Sequence, residues 1–143
     1  MASTQQRQTA NALITAFNNM DIPSIMALRA PESTQQVVPL RFNFPCQDNP
    51  AYERRMNFIA RAFDNFHLEV KEVIEDVTAR KIVMWLSANG DTKLGEYRNE
   101  YMWTMEFDES GGKIVKMKEF VDTAMIKEFY PQLRESIEPA KTG

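Results

Sequence analysis

The stretch from Tyr97 to Asp122 constrains this chain more than any other, because its polarity pattern reads as one long hairpin. Tyr97 to Phe107 alternates, Asp108-Glu109-Ser110-Gly111-Gly112 turns, and Lys113 to Val121 alternates again. Tyr97, Asn99, Tyr101, Trp103, Met105 and Phe107 share one face of the first strand, and Arg98, Glu100, Thr104 and Glu106 share the other. The aromatic face is the inner one. On the second strand Val115, Met117 and Val121 point inward with it, and Glu119 falls on that same apolar face. A five-residue loop would set Phe107 opposite Lys113, Trp103 opposite Met117 and Tyr101 opposite Glu119, with facing Cβ atoms roughly 5 Å apart. Tyr97 lies four residues earlier on the same face, about 13 Å along the strand. Two phenols and a carboxylate then line one wall of an expected cavity that also contains Trp103 and Met117.

Desolvation beside Met117, Trp103 and Val121 favours the neutral form of Glu119 unless a cation or a phenol donates to it. Such a carboxyl can take a proton from a carbon next to a carbonyl or from a hydroxyl, while tyrosine O–H groups stabilise the oxyanion formed in between. The structural alternative is an ion pair between Glu119 and a buried arginine.

With 143 residues the chain suits one domain, and 43% hydrophobic with 26% charged residues is the composition of a soluble globule. A net charge of −3 supplies no field for phosphates, which argues against a nucleic-acid partner. Cys46 and His67 are the only cysteine and histidine, so neither a disulfide nor a usual zinc site is expected, and no metal is assigned. The start lacks a basic and apolar leader, and no apolar run of about 18 residues occurs, so a cytoplasmic protein without a membrane partner is expected.

Taken in order, Ser3-Thr4-Gln5-Gln6 opens a helix that runs to Asn19. Asp21 caps a second helix through Leu28, ended by Pro31. Arg29, at that helix end, is either a surface arginine facing the helix dipole or a catalytic group. Residues 31 to 49 form an ordered loop that can include a short edge strand, in which Arg41 points outward or into a cavity. Asn49 caps a third helix whose stripe of Tyr52, Met56, Ile59, Phe63 and Phe66 is core, with Tyr52 the member best placed to reach a ligand. His67 opens a strand bulged near Glu72 and Val73, as a local hydrogen-bonding residue or as an acid–base group at a cavity mouth. Lys81 to Ala88 is a strand apolar on both faces. Its second face, with Val83 and Trp85, needs cover, and a homodimer through the outer sheet face is the simplest one. Asn89-Gly90 turns the chain toward the hairpin. Asp122 caps a last helix kinked by Pro131, and the tail from Pro139 frays. The class is α+β.

Three helices, then a strongly bent antiparallel sheet with an acid at the end of its last long strand, and a C-terminal helix resemble the cone-shaped nuclear transport factor 2-like fold and the SnoaL-type cyclases. The phrases Ala27-Leu28-Arg29-Ala30-Pro31, Asp108-Glu109-Ser110-Gly111-Gly112-Lys113-Ile114-Val115 and Glu119-Phe120-Val121-Asp122-Thr123 resemble the fungal secondary-metabolism branch. That branch includes meroterpenoid isomerases and an enzyme of pinacol-type rearrangement in brevianamide biosynthesis. The resemblance implies an acid–base set of an arginine, two tyrosines four apart and a glutamate eighteen beyond the second. Arg29, Tyr97, Tyr101 and Glu119 match it. Gln35 and Gln36 stand where many relatives have a histidine, and Asp122 is either a base, as in bacterial relatives, or a helix cap.

The resemblance implies a cofactor-free isomerase or cyclase acting on a hydrophobic, oxygenated natural-product intermediate. Glu119 would be the acid–base, Tyr97 and Tyr101 the donors, Arg29 the charge partner, and Trp103, Met117, Arg41, Tyr52 and His67 the substrate contacts. A hydrolase or dehydratase using the same carboxylate and a binding protein of the same fold are the alternatives.

Overall fold

The computed structural model describes residues 3–137. Its first helix, α1 (Gln5–Asn18), starts where Thr4 accepts a hydrogen bond from Arg7 N at 3.1 Å. Thr4 and Gln6 also donate to Glu75 at 2.6 and 2.8 Å, which ties this end of the helix to the sheet. Asp21 caps α2 (Ile22–Ala27) through Ser24 N. The third helix, α3 (Asn49–Ala62), is capped by Asp48, which accepts from Ala51 N at 3.0 Å. The expected cap, Asn49, is the first helical residue, and its side chain is turned toward Arg29 and Ala30.

Five strands form one open sheet: β1 (Arg29–Val38), β2 (Asp64–Asp76), β3 (Lys81–Thr92), β4 (Gly95–Phe107) and β5 (Ile114–Val121), in the order β1-β5-β4-β3-β2. The last four pair antiparallel, and β1 runs parallel to β5. The segment expected to be a loop with at most a short edge strand therefore gives its first eight residues to a ten-residue edge strand. Its proline signals mislead because Pro31 sits where the β1–β5 register shifts and Pro39 lies just past the strand end. The Asn89-Gly90 turn is also absent. Instead β3 continues to Thr92 and the chain reverses at Lys93-Leu94, where Gly95 has φ +116°. A Cβ on Gly90 would lie 3.2 Å from Phe63 Cδ1, so its small size serves helix-to-sheet packing. The β2 bulge lies between Val70 and Glu72, close to its expected place.

The apolar rows of α1 and α3 cover the inner face of the sheet. Leu13 and Phe17 of α1 and Tyr52, Met56 and Ile59 of α3 pack with Met84, Leu86, Trp103, Met105 and Met117. At a site such as Met105, removing the side chain to Cβ costs about 2–5 kcal/mol. On the outer face Trp85 pairs across to Met102 and Met102 to Phe120, giving an exposed apolar band over three strands. Val83, expected there too, is half-buried.

Asp122 accepts from Ala124 N at 3.0 Å, so its side chain is a helix cap. The helix after it is π-wound over Met125–Phe129 and α-helical over α4 (Tyr130–Ile137). Pro131 removes an N–H from the ladder, so the kink expected there appears as a widened turn. The tail from Pro139 lies outside the described residues. No described helix is long and apolar enough to cross a membrane.

Gly111 is the hairpin position that only glycine satisfies. Its φ is +77°, its carbonyl accepts from Thr9 Oγ1 at 2.7 Å, and an added Cβ would lie 2.9 Å from Gln6 N. Gly111→Ala should destabilise the protein by about 1–3 kcal/mol. The check is thermal denaturation, where an unchanged midpoint would contradict the packing described.

Candidate active site

The hairpin β4–β5 presents its acid on the inner face, as its alternation requires, but in another register. Met105 pairs with Met117, Trp103 with Glu119 and Tyr101 with Val121. Two departures add up to this two-residue slip. The loop is one residue longer than expected, since Phe107 pairs with Ile114, and a bulge between Glu106 and Phe107 leaves Val115 without a partner. Because the slip is even, Met117, Glu119 and Val121 stay inward. The bulge puts Ile114 in that row in place of Val115. The neighbour of Glu119 across the strands is thus Trp103 rather than Tyr101.

Glu119 is 4% exposed, and both of its oxygens are held. Arg55 Nη2 donates to Oε2 at 2.7 Å and Gln35 Nε2 donates to Oε1 at 2.5 Å. Gln35 Oε1 in turn accepts from Arg29 Nη1 at 2.8 Å, and Arg29 Nε donates to Asn49 Oδ1 at 2.8 Å. The direct charge partner of the acid is therefore Arg55. Arg29, expected in that role, acts one residue removed through Gln35. Tyr52 is buried between the two cations, its ring centre 4.3 Å from the Arg29 guanidinium and 5.7 Å from that of Arg55. Burial by itself would lower the Arg55 pKa, and the adjacent Glu119 carboxylate overrides it, so the guanidinium is held charged above its ordinary value. Burial lowers the Arg29 pKa, against the opposing pull of Tyr52 and Glu119.

A second polar network lies beside the first. Tyr97 and Tyr101 share a hydrogen bond of 2.8 Å between their hydroxyls, Asn99 Nδ2 donates to Tyr97 at 2.8 Å, and Tyr130 Oη donates to Tyr97 at 3.4 Å. Trp103 separates the two networks. Its indole stacks on the Tyr101 ring at 5.9 Å, and its Nε1 is buried without a partner among the described residues.

A cleft of about 880 Å³ opens between α3, the turn after β1 and the last helix. Val37, Phe44, Phe58, Ile59 and Ile126 give it apolar walls, and Arg55 and Tyr130 bring one member of each network to its surface. The five residues expected to line a cavity lie buried along the inner sheet face instead, and none of them lines the cleft.

Of the expected site residues, Glu119, Tyr97, Tyr101, Trp103, Met117, Tyr52 and Arg29 are buried together in or beside these networks. Two do not join them. Arg41 is exposed in the short turn Leu40–Phe42, and His67 is exposed near the start of β2, paired with Asn89. Arg55, Gln35, Asn99 and Tyr130 were missed. Arg55 had a signal, since it follows Tyr52 by three residues and so shares its helical face. Among the described residues no cluster of histidine, cysteine or acid side chains is arranged to hold a metal.

All four tyrosines of the chain, Tyr52, Tyr97, Tyr101 and Tyr130, have pKa values raised above the ordinary phenol value, chiefly by burial. The folded state therefore keeps phenol protons that the unfolded chain releases above about pH 10. That stability is fully present below this pH and is lost as pH rises toward the folded values, by up to about 1.4 kcal/mol per pH unit for each phenol. Tyrosinate absorbance should stay absent near pH 10 and appear together with alkaline unfolding followed by circular dichroism. A phenolate signal at about pH 10 from an intact fold would contradict this burial.

No protein-family profile matches the chain. Among curated proteins it is 27% identical to monooxygenase ptaG of Pestalotiopsis fici, over 92% of this chain and 93% of that one. It is 29% identical to core atranone cluster protein 11 of Stachybotrys chlorohalonatus, over 90% of this chain and 96% of that one. Among solved structures, BvnE pinacolase from Penicillium brevicompactum superposes with a TM-score of 0.85 at 23% identity, covering 94% of this chain and 97% of that one.

Proposed function

From the premise that the chain has the nuclear transport factor 2-like, SnoaL-like fold and that its relatives are fungal secondary-metabolism proteins, we propose that it is a cofactor-free isomerase or cyclase. Its substrate is a hydrophobic, oxygenated natural-product intermediate. The observation that carries this reading is a buried carboxylate held by an arginine that also faces an apolar cleft, one indole away from a pair of hydrogen-bonded phenols.

Each oxygen of Glu119 accepts one of these hydrogen bonds, and losing a donor makes that oxygen both more basic and easier to reach. Gln35 is 1% exposed and is fixed on its other side by Arg29, whereas the Arg55 side chain is 28% exposed and reaches the cleft. A substrate oxygen entering the cleft competes for Arg55 and frees Oε2. Glu119 then takes a proton from a carbon next to a carbonyl or from a hydroxyl. The oxygen that gains charge is met by Arg55 and by a phenol, and the proton returns to a different atom of the same substrate. Nothing is added or lost, so the product is an isomer.

Disrupting the gene in its host and isolating the intermediate that accumulates supplies the substrate for the purified protein. An isomerase leaves the mass of that compound unchanged. A gain or loss of water would assign the hydrolase or dehydratase chemistry open to the same carboxylate. Gain of one oxygen atom would assign monooxygenation, the reading favoured by the name of the Pestalotiopsis relative. No conversion would leave a binding protein.

Glu119→Gln keeps the shape but not the basicity, so kcat should fall roughly 100-fold or more with little change in KM. Tyr101→Phe should cost less, at most about 3 kcal/mol of transition-state stabilisation. Chelation should leave the rate unaltered. Normal turnover by Glu119→Gln would remove the acid–base role, and loss of activity to a chelator would place the reaction in another class.

The apolar band of Trp85, Met102 and Phe120 supports a homodimer through the outer sheet face. Sedimentation showing only a 16.6 kDa species at micromolar concentration would reject it.

A further inference from the structure

The two phenols of the site are not equivalent, and the difference is set by Asn99. This residue lies between them in sequence on the inner face of β4 and is 5% exposed. Its Oδ1 accepts from Glu100 N at 2.7 Å and from Asp122 N at 3.2 Å. A backbone N–H can only donate, so these two bonds fix which end of the amide is oxygen. The Nδ2 end, 2.8 Å from the Tyr97 hydroxyl, is therefore a donor to it. Tyr130 adds a longer donation to the same oxygen at 3.4 Å. With its lone pairs taken, the Tyr97 hydroxyl can spend its own proton only along the 2.8 Å bond to Tyr101. Tyr101 then accepts from Tyr97, and its proton has no acceptor among the described residues. Exposure agrees with this polarity, since Tyr101 is 9% exposed and Tyr97 is sealed at 0%.

We infer that Tyr101 alone donates to the substrate oxygen, that Tyr97 is a relay, and that Asn99 is the positioning residue that sets the direction of the chain. This inference rests on the acid–base reading above. It also binds the site to the fold, because the Asp122 N–H that helps to orient Asn99 belongs to the residue that caps the helix carrying Tyr130.

The test uses the accumulated intermediate as probe and four variants. Glu119→Gln examines the acid–base reading by itself. Given that it is inactive, Tyr101→Phe should lower kcat at least about tenfold more than Tyr97→Phe, because only the former removes the donating group. Equal losses, or a larger loss in Tyr97→Phe, would overturn the inference while leaving the function intact.

Asn99→Asp should reverse the chain. At neutral pH the new carboxylate accepts from Tyr97, Tyr101 must then donate to Tyr97, and the substrate loses its donor. Expected is a fall in kcat of roughly tenfold or more with KM little changed. The titratable and charged groups around this position are Tyr97 and Tyr101 on β4, Tyr130 on α4, Asp122 at the helix cap, and Arg98 and Glu100 beside the outer depression that Asn99 also lines. As pH falls and the new carboxyl protonates, it again donates to Tyr97, so the deficit relative to the parent protein should shrink. A deficit independent of pH would mark a merely structural role and overturn the inference. A readout without substrate is the 13Cζ resonance of labelled tyrosine. The Tyr97 and Tyr101 signals should both shift in Asn99→Asp and return toward the parent positions on acidification, and signals that stay put would contradict the reversal.

Discussion

The burial of Glu119 is the constraint on which the rest of the site depends. An ionised carboxylate away from water is tolerated only with charge and hydrogen-bond partners, and removing one partner of such a pair commonly costs about 3–5 kcal/mol. The two partners come from different elements, Arg55 from α3 and Gln35 from β1. One side chain on β5 therefore fixes how the third helix and the edge strand approach the sheet. The effect propagates outward. Gln35 must turn its nitrogen to the carboxylate, so its oxygen is left for Arg29, and Arg29 engages Asn49. With Asn49 engaged there, the capping of α3 falls to Asp48.

The second network follows a different logic, since it carries no formal charge. Three phenols and one amide are linked by hydrogen bonds that leave only the Tyr101 proton without an acceptor among the described residues, and burial keeps the phenols neutral. In the proposed reaction this composition would supply an acid that loses one partner and a donor that meets an oxygen, with Trp103 as a flat wall between them. The division suits a substrate that presents an oxygen on one side and an acidic hydrogen on the other. It also explains why both networks reach the cleft through a single residue each.

Periodicity alone exposed much of this arrangement. The alternation from Tyr97 to Val121 put Glu119 and both tyrosines on one inner face, and that parity survived because the hairpin register slipped by an even number of residues. The slip itself was not legible, since neither a six-residue loop nor an unpaired Val115 leaves a polarity signature. The sequence allowed a short edge strand here, but Pro31 within it and Pro39 just past it masked its ten-residue length, and with that went the placement of Gln35 inside the site. Position 35 had been notable only for the histidine it lacks relative to the resembled branch. Arg41 was read from its apolar neighbours and His67 from its place at a helix-to-strand junction, criteria that cannot distinguish an exposed edge from a cavity wall. Arg55 was passed over because a charged residue in an apolar helical stripe looks like an interruption of it. In this case the interruption is the pairing group.

Pairing between Glu119 and an arginine is the geometry expected of a purely structural ion pair, so its presence does not by itself favour catalysis. The distinction lies in how unequal the two partners are. A structural clamp gains from partners that are equally buried and equally fixed, because any exposed member weakens the pair through solvent screening. Here Gln35 is sealed and locked by Arg29, while Arg55 keeps more than a quarter of its side chain exposed, borders the cleft, and besides its bond to the acid has a 3.4 Å contact to Gln47 and the ring of Tyr52. Tyr52 holds both guanidinium groups over its ring, with the Arg29 cation the closer. The carboxylate thus has one sealed donor and one that borders the cleft. Such asymmetry is what the proposed reaction asks of a carboxylate that is to be released only when an oxygen-bearing substrate has arrived.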